Sequence, residues 1–164
     1  MHLVEGGILH PISYLAFVSR GFRFENIIIL HSAEIVTYGA GAEALVANGL
    51  LLKAGSPAVY ILNNGTRQLL SYFVFTQRGL DRQVIAAVTE DELTRFAVSS
   101  WLYPPADNTL IRGDQVSTVY VIESGRRRGL NLAAFQGRGY QFAQVRTLAQ
   151  SEVNGYELGT EIVQ

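Results

Sequence analysis

Short apolar runs, each closed by a turn signal, recur along this chain. Leu3-Val4, Val59-Tyr60-Ile61-Leu62 and Val119-Tyr120-Val121-Ile122 lead into Glu5-Gly6-Gly7, Asn63-Asn64-Gly65 and Glu123-Ser124-Gly125. Asn-Gly or Ser-Gly between apolar runs predicts a β-hairpin, with Gly supplying positive φ. The return strands are expected at Ile8–Ile12, Thr66–Leu70 and Arg126–Leu130. Ser13, Ser71 and Asn131 then stand where a helix N-cap belongs. The short helix after each cap would bury Phe17, Phe75 or Phe135. It would stop at Gly21, Gly79 or Gly139, because glycine accepts the left-handed conformation that ends a helix.

A linker and a second short helix are expected to follow. Thr89-Glu90-Asp91-Glu92 has capping-box spacing, and Leu93 and Phe96 then share one face. Ile35 with Tyr38, and Val153 with Tyr156, repeat that face. Gly49–Lys53 and Thr109–Arg112 read as lead-in strands to the second and third hairpins, after turns at Asn48-Gly49 and Asp107-Asn108. Pro104-Pro105 excludes regular structure from the longest connection. The first hairpin has no lead-in strand, so one edge of its sheet is expected to be unpaired. Glu161-Ile162-Val163-Gln164 is a candidate to fill that place or to extend a neighbouring molecule's sheet. That reading includes a homo-oligomer formed through terminal strands.

The elements fall in one register. Gly7, Phe17, Arg20, Gly21 and Glu34 recur as Gly65, Phe75, Arg78, Gly79 and Glu92, and again as Gly125, Phe135, Arg138, Gly139 and Glu152. Tandem duplication accounts for such a series. The expected fold class is α+β, with three tandem repeats over residues 1–45, 46–104 and 105–164. Each repeat is an antiparallel hairpin or three-stranded sheet plus two short helices.

Val59–Arg67, Ser71, Phe75 and Arg78-Gly79 resemble a bacterial tandem repeat, as do Leu110-Ile111-Arg112-Gly113 and Val119–Arg128. That unit has a leucine–basic–glycine strand and a valine–tyrosine–aliphatic–glutamate–x–glycine hairpin. A proline–apolar–serine turn, a phenylalanine and a glycine–tyrosine complete it. His10-Pro11-Ile12-Ser13 keeps the turn, whereas Leu69-Leu70-Ser71 and Gly129-Leu130-Asn131 lack its proline. The resemblance implies an accessory module of secreted or cell-surface proteins, often beside cell-wall hydrolase domains. It implies no catalytic residues.

Composition narrows the picture further. The 164 residues are 48% hydrophobic and 16% charged, a globular balance. A net charge of −1 gives no argument for nucleic acid or an anionic membrane. The absence of cysteine excludes disulfides and thiolate metal sites. No apolar run reaches the length of a membrane span, and Met1–Glu5 lacks the pattern of a signal peptide. Localisation therefore stays open, with the extracellular or cell-surface expectation resting on the resemblance.

Candidate chemistry is sparse. The recurrent Arg and Glu residues suggest either a ligand site in each unit or an internal strut, such as an Arg78–Glu92 ion pair. Recurrence in a repeat favours the strut. Arg126-Arg127-Arg128 is the only basic cluster. Strand alternation puts Arg126 and Arg128 on one face as candidate anion ligands, against a simple solvated surface. Trp101, near Tyr103 and Pro104-Pro105, is a candidate platform for a sugar ring, with Tyr103 expected in the core. His2, His10 and His31 lack metal-ligand spacing, and no nucleophile elbow or phosphate loop is present. The expected function is a non-enzymatic interaction or spacer module without cofactor or metal. Its partner would be a cell-wall polymer or a protein. The alternative is a self-assembling filament or surface-layer subunit.

Overall fold

The computed structural model describes residues 1–163, and in it each predicted hairpin turns through two consecutive left-handed residues. The φ angles are 57° and 80° at Gly6-Gly7, 49° and 73° at Asn64-Gly65, and 51° and 75° at Ser124-Gly125. This is the hairpin turn whose twist matches its strands. Asn64 and Ser124 carry a Cβ, and a preceding loop steadies both. Asn48 accepts from the Asn64 N–H at 2.7 Å. Asp107 accepts from the N–H groups of Ser124 and Gly125 at 3.1 and 3.2 Å.

Three sheets form among the described residues, each from one contiguous stretch. The first joins β1 (His2–Glu5), β2 (Ile8–Pro11) and β3 (Gly39–Ala40) in that order. The second contains β4 (Leu51–Lys53), β5 (Tyr60–Asn63), β6 (Thr66–Leu69), β7 (Ile85–Ala87) and β8 (Ala97–Val98), ordered β7-β4-β5-β6-β8. The third contains β9 (Leu110–Gly113), β10 (Val119–Glu123), β11 (Arg126–Leu130) and β12 (Arg146–Leu148), ordered β11-β10-β9-β12. The fold is α+β, but its sheets are mixed rather than purely antiparallel. β7 runs parallel to β4, and β12 parallel to β9. β3 and β8 run parallel to β2 and β6. The segments expected as linkers in the second and third stretches therefore contain strands, whereas residues 27–30 in the first have no regular structure. Val84–Val88 is a short apolar run that shows no alternation, and only the parallel partner makes it a strand.

The helices are α1 (Tyr14–Ser19), α2 (Ser32–Ile35), α3 (Tyr72–Gln77), α4 (Glu90–Thr94), α5 (Leu132–Gly137) and α6 (Gln150–Gly155). Ser13, Ser71 and Asn131 accept side-chain caps from the N–H groups of Ala16, Val74 and Ala134. Gly21, Gly79 and Gly139 follow the helix ends with φ of 75°, 64° and 70°, where a Cβ would be strained.

Alternate residues of a strand enter different cores. Leu52, Leu62 and Leu93 pack with Ile12, Ala16, Phe17, Ala44 and Val46. Leu51, Ile61, Leu70, Val74 and Leu80 pack instead with Ile111, Ile122, Val153 and Tyr156. Leu110, Val119, Val121 and Leu130 close over Ala134, Phe135 and Ile162. Thus α1 and α3 each lie between the sheet of their own stretch and the back of the next one. Each fully buried leucine in these layers contributes about 1.5–3 kcal/mol relative to exposure.

The phenylalanine after the cap is less uniform than its recurrence suggests. Phe17 packs against Phe24 at 4.7 Å and Phe22 at 5.7 Å between ring centroids. Phe135 packs against Phe142 at 4.6 Å and Tyr140 at 5.9 Å. The matching positions near Phe75 hold Leu80 and Arg82. Phe75 loses that aromatic cover and is half-buried, while its neighbour Val74 is fully buried.

The C-terminal expectation needs correction. Leu158 and Ile162 bridge in parallel to Arg127 and Leu130 of β11. Ile162 donates its N–H to Gly129 O at 2.8 Å and is buried. Residues 161–163 therefore neither fill a place in the first sheet nor stand free to join a neighbour's, because β11 offers a nearer edge. Gln164, part of that expectation, lies outside the described residues.

Candidate functional site

The recurrent arginines reach backbone and carboxylate partners at a helix C-terminus. Arg20 Nε donates to Leu45 O at 3.0 Å. Arg78 donates from Nε to Pro104 O at 3.0 Å and from Nη2 to Pro105 O at 2.9 Å, with its guanidinium 4.8 Å from the Tyr103 ring centroid. Tyr103 is half-buried against the core. Arg138 pairs with Glu123. The Arg78–Glu92 ion pair does not form, since each group already has a local partner. Glu92 accepts from the Thr89 N–H at 3.0 Å in a capping box, and its carboxyl is held below the ordinary range chiefly by that bond. Glu34 accepts from the His31 N–H at 2.8 Å in the same way. Glu152 departs from the series and accepts from the Tyr156 hydroxyl at 2.7 Å.

The arginine cluster alternates as expected. Arg126 Nη2 lies 2.9 Å from Glu157 Oε1 at the surface. Arg128 pairs with Glu123 at 2.6 Å and donates to Thr160 O at 2.8 Å. On the opposite face, Arg127 lies over Tyr120 and donates to Tyr156 O at 3.0 Å. Arg67 makes a similar pair of contacts, over Tyr60 and to Leu93 O at 2.7 Å. Glu123, between Arg138 and Arg128, has its carboxyl lowered first by the hydrogen bond from Arg138. Any anion at Arg126 or Arg128 must compete with these carboxylates. Trp101 is partly exposed, and its backbone N–H donates to Ser99 Oγ at 3.1 Å. The structure gives no contact that joins Trp101 to Arg126 or Arg128.

Sequence reasoning missed two features. One is the buried Tyr156 hydroxyl, 3.2 Å from Ser71 Oγ, which ties α6 to the cap of α3. Its only signal was a tyrosine at a core position. The other is an apolar groove of about 660 Å³ beside β1. Leu3, Phe17, Ile27 and Leu30 are among its lining residues. Its signal was the apolar run Ile27-Ile28-Ile29-Leu30. A second opening, of about 860 Å³, is lined by Gln77, Thr109, Gln144 and Arg146 among others and is more polar. No group of three or more His, Cys, Asp or Glu placed to hold a metal occurs among the described residues. No described helix is long and apolar enough to cross a membrane.

No family model matches the chain. No curated protein matches it either. Among solved structures, the chain is similar to a chain of the periplasmic assembly from the ESX-5 inner membrane complex, with 12% identity and a TM-score of 0.29. The match covers 99% of this chain and 57% of that one, so the chain spans little more than half of its neighbour's length. Similarity at that level establishes neither a shared fold nor a shared role.

Proposed function

We propose that the chain is an array of three copies of one hairpin-and-helix unit, bounded at 1–45, 46–104 and 105–164. It would serve as a non-enzymatic interaction or spacer module of a bacterial cell-surface or secreted protein. The bacterial setting rests on the repeat that the sequence resembles. One observation supports the array most: the recurrent side chains meet scaffold partners. The glycines end helices at φ of 64–75°. Arg20 and Arg78 hold the connection that leads toward the next unit. Glu34 and Glu92 cap a second helix. Residues kept for stacking leave recognition to edges and grooves.

A protein or a cell-wall polymer is the proposed partner. Self-assembly through both ends is the weaker reading, since the C-terminal segment is paired with β11. Co-sedimentation with purified bacterial cell walls, alongside assay of the supernatant for released wall fragments, tests the proposal. Retention without release is expected. Release that depends on the folded chain overturns the non-enzymatic reading, and absence of retention removes the wall polymer as partner.

A further inference from the structure

We infer that the open cleft between α3 and the third sheet is a binding site for an acidic saccharide, a ring bearing hydroxyls and one carboxylate. The inference rests on the reading of the chain as a three-unit interaction module, and it narrows that module's partner. The cleft has a volume of about 860 Å³, a size that suits a small molecule. Both walls come from the interior of the chain. Phe73, Thr76 and Gln77 of α3 form one, and Gln144 with residues 146–148 forms the other.

The layer before it shows what packing alone requires at these positions. Ala86 of β7 pairs with Leu52, and Arg146 of β12 pairs in the same way with Ile111. Ala86 and Val88 pack against the apolar cluster under α1, as Leu148 packs against the cluster under α3. Strand alternation sets Arg146 on the same face as Leu148, toward α3. An arginine thus stands where the earlier layer needs only a methyl group. In the same register, Gln144 and Tyr140 replace Val84 and Leu80, and Thr76 replaces Val18. Small and aliphatic residues close one layer, so stacking does not account for polar ones in the next.

The polar groups of the cleft are partly unspent. Gln77 is used within the fold, accepting from the Ala106 N–H at 3.0 Å and donating to Thr109 Oγ1 at 2.6 Å. Gln144 accepts from the Gln141 N–H at 2.9 Å, which leaves its NH2 group to donate. Arg146 and Asn108 are exposed in the cleft, and among the described residues neither side chain forms a hydrogen bond or an ion pair. None of the lining residues is acidic, so Arg146 has no competing carboxylate there. One guanidinium matches one carboxylate in charge and in its two-pronged shape. The Asn108 and Gln144 amides suit hydroxyls, and the Phe73 and Tyr140 rings suit the C–H face of a sugar.

The test titrates the whole chain, labelled for NMR, with sodium glucuronate at constant ionic strength. Glucose, acetate and inorganic phosphate are titrated in parallel. Glucuronate should bind in the millimolar range and shift the side-chain signals of Asn108, Gln144 and Arg146. Glucose lacks the carboxylate and acetate lacks the ring, so each should bind more weakly by about tenfold or more. Arg146→Ala should weaken glucuronate binding by a similar factor, and Gln144→Ala severalfold. Both residues are exposed, so the variants should keep the dispersed spectrum of the folded chain. Arg95→Ala, at an exposed arginine outside the cleft, should bind like the parent. No binding at tens of millimolar, shifts confined to other residues, or undiminished binding by Arg146→Ala would overturn the inference. So would glucose, acetate or phosphate binding as tightly as glucuronate. Retention on cell walls separates the two levels. A chain that is retained but ignores glucuronate keeps the module reading and loses this site. A chain that binds glucuronate in the cleft without retention keeps the site and loses the wall polymer as its ligand's source.

Discussion

Replacing Tyr156 with Phe removes one hydroxyl from the core between the second and third sheets. The ring is fully buried, and the hydroxyl donates to Glu152 Oε1 at 2.7 Å and lies 3.2 Å from Ser71 Oγ. A hydrogen bond to a charged partner contributes about 1.5–3 kcal/mol. Glu152 is only half-buried and can recover water, so the expected loss is about 1–2 kcal/mol. Tyr156→Ala also leaves a cavity and should cost about 3–5 kcal/mol. Burial, and then the bond to Glu152, raise the Tyr156 phenol well above its ordinary value of 10.0. The unfolded chain therefore releases this proton near pH 10 while the folded chain keeps it. The stabilisation is complete below that pH and falls by about 1.4 kcal/mol per unit above it, until the folded phenol ionises. Urea unfolding followed by circular dichroism, from pH 7.5 to 11.5, reads both effects. Tyr156→Phe should be less stable at pH 7.5 but lose stability more gradually in alkali, by one proton's slope. Equal alkaline slopes in the two proteins would refute the reasoning.

Glu123→Gln should act at the opposite end of the pH range. The Arg138 and Arg128 contacts lower the Glu123 carboxyl, so their stabilisation is present above its unfolded value of 4.5 and lost as pH falls through the folded one. The variant should show a shallower acid limb in the same urea assay. Phe17→Ala and Phe135→Ala should each cost about 3–5 kcal/mol, and half-buried Phe75→Ala only about 2. A reversed order in thermal denaturation would contradict the ring packing. Gly137→Ala should stabilise α5 by about 0.5–1 kcal/mol, because its Cβ would meet no atom within 4 Å. Gly139→Ala should destabilise by about 1 kcal/mol, because φ there is 70°. Equal effects at the two glycines would show that the helix end is misplaced.

Local chemistry made the hairpins, caps and helix ends legible in the sequence. Asn64-Gly65, Ser71 and Gly79 each act within a few residues of themselves, and their neighbours in the chain suffice to read them. The parallel strands β7 and β12 were hidden, because a three-residue strand beside a distant partner leaves no periodicity. The half-burial of Phe75 was hidden for a related reason. It depends on Leu80 and Arg82 standing where the other stretches hold aromatic rings. Arg78 was legible as a strut, but its partner was not, since Pro104 O offers no side-chain signal. Strand alternation made legible that Arg126 and Arg128 share a face opposite to Arg127. Their carboxylate partners are Glu157, from the segment after α6, and Glu123, from the facing strand β10, and strand alternation reveals neither.

The stacking has a direction, and that direction matters during synthesis. The helix side of the first sheet is covered by Leu52, Leu62 and Leu93, and that of the second by Ile111, Ile122, Val153 and Tyr156. Each cover lies later in the chain than the surface it shields. On a ribosome, α1 with Phe17 must wait for Leu93 to emerge, several seconds at about 5–20 residues per second. The hairpin can form at once from its own turn, but its apolar face stays wet until the following stretch of chain docks. The core of each sheet is therefore closed by the stretch made after it, and a pause in translation after β3 would leave the first core open to solvent.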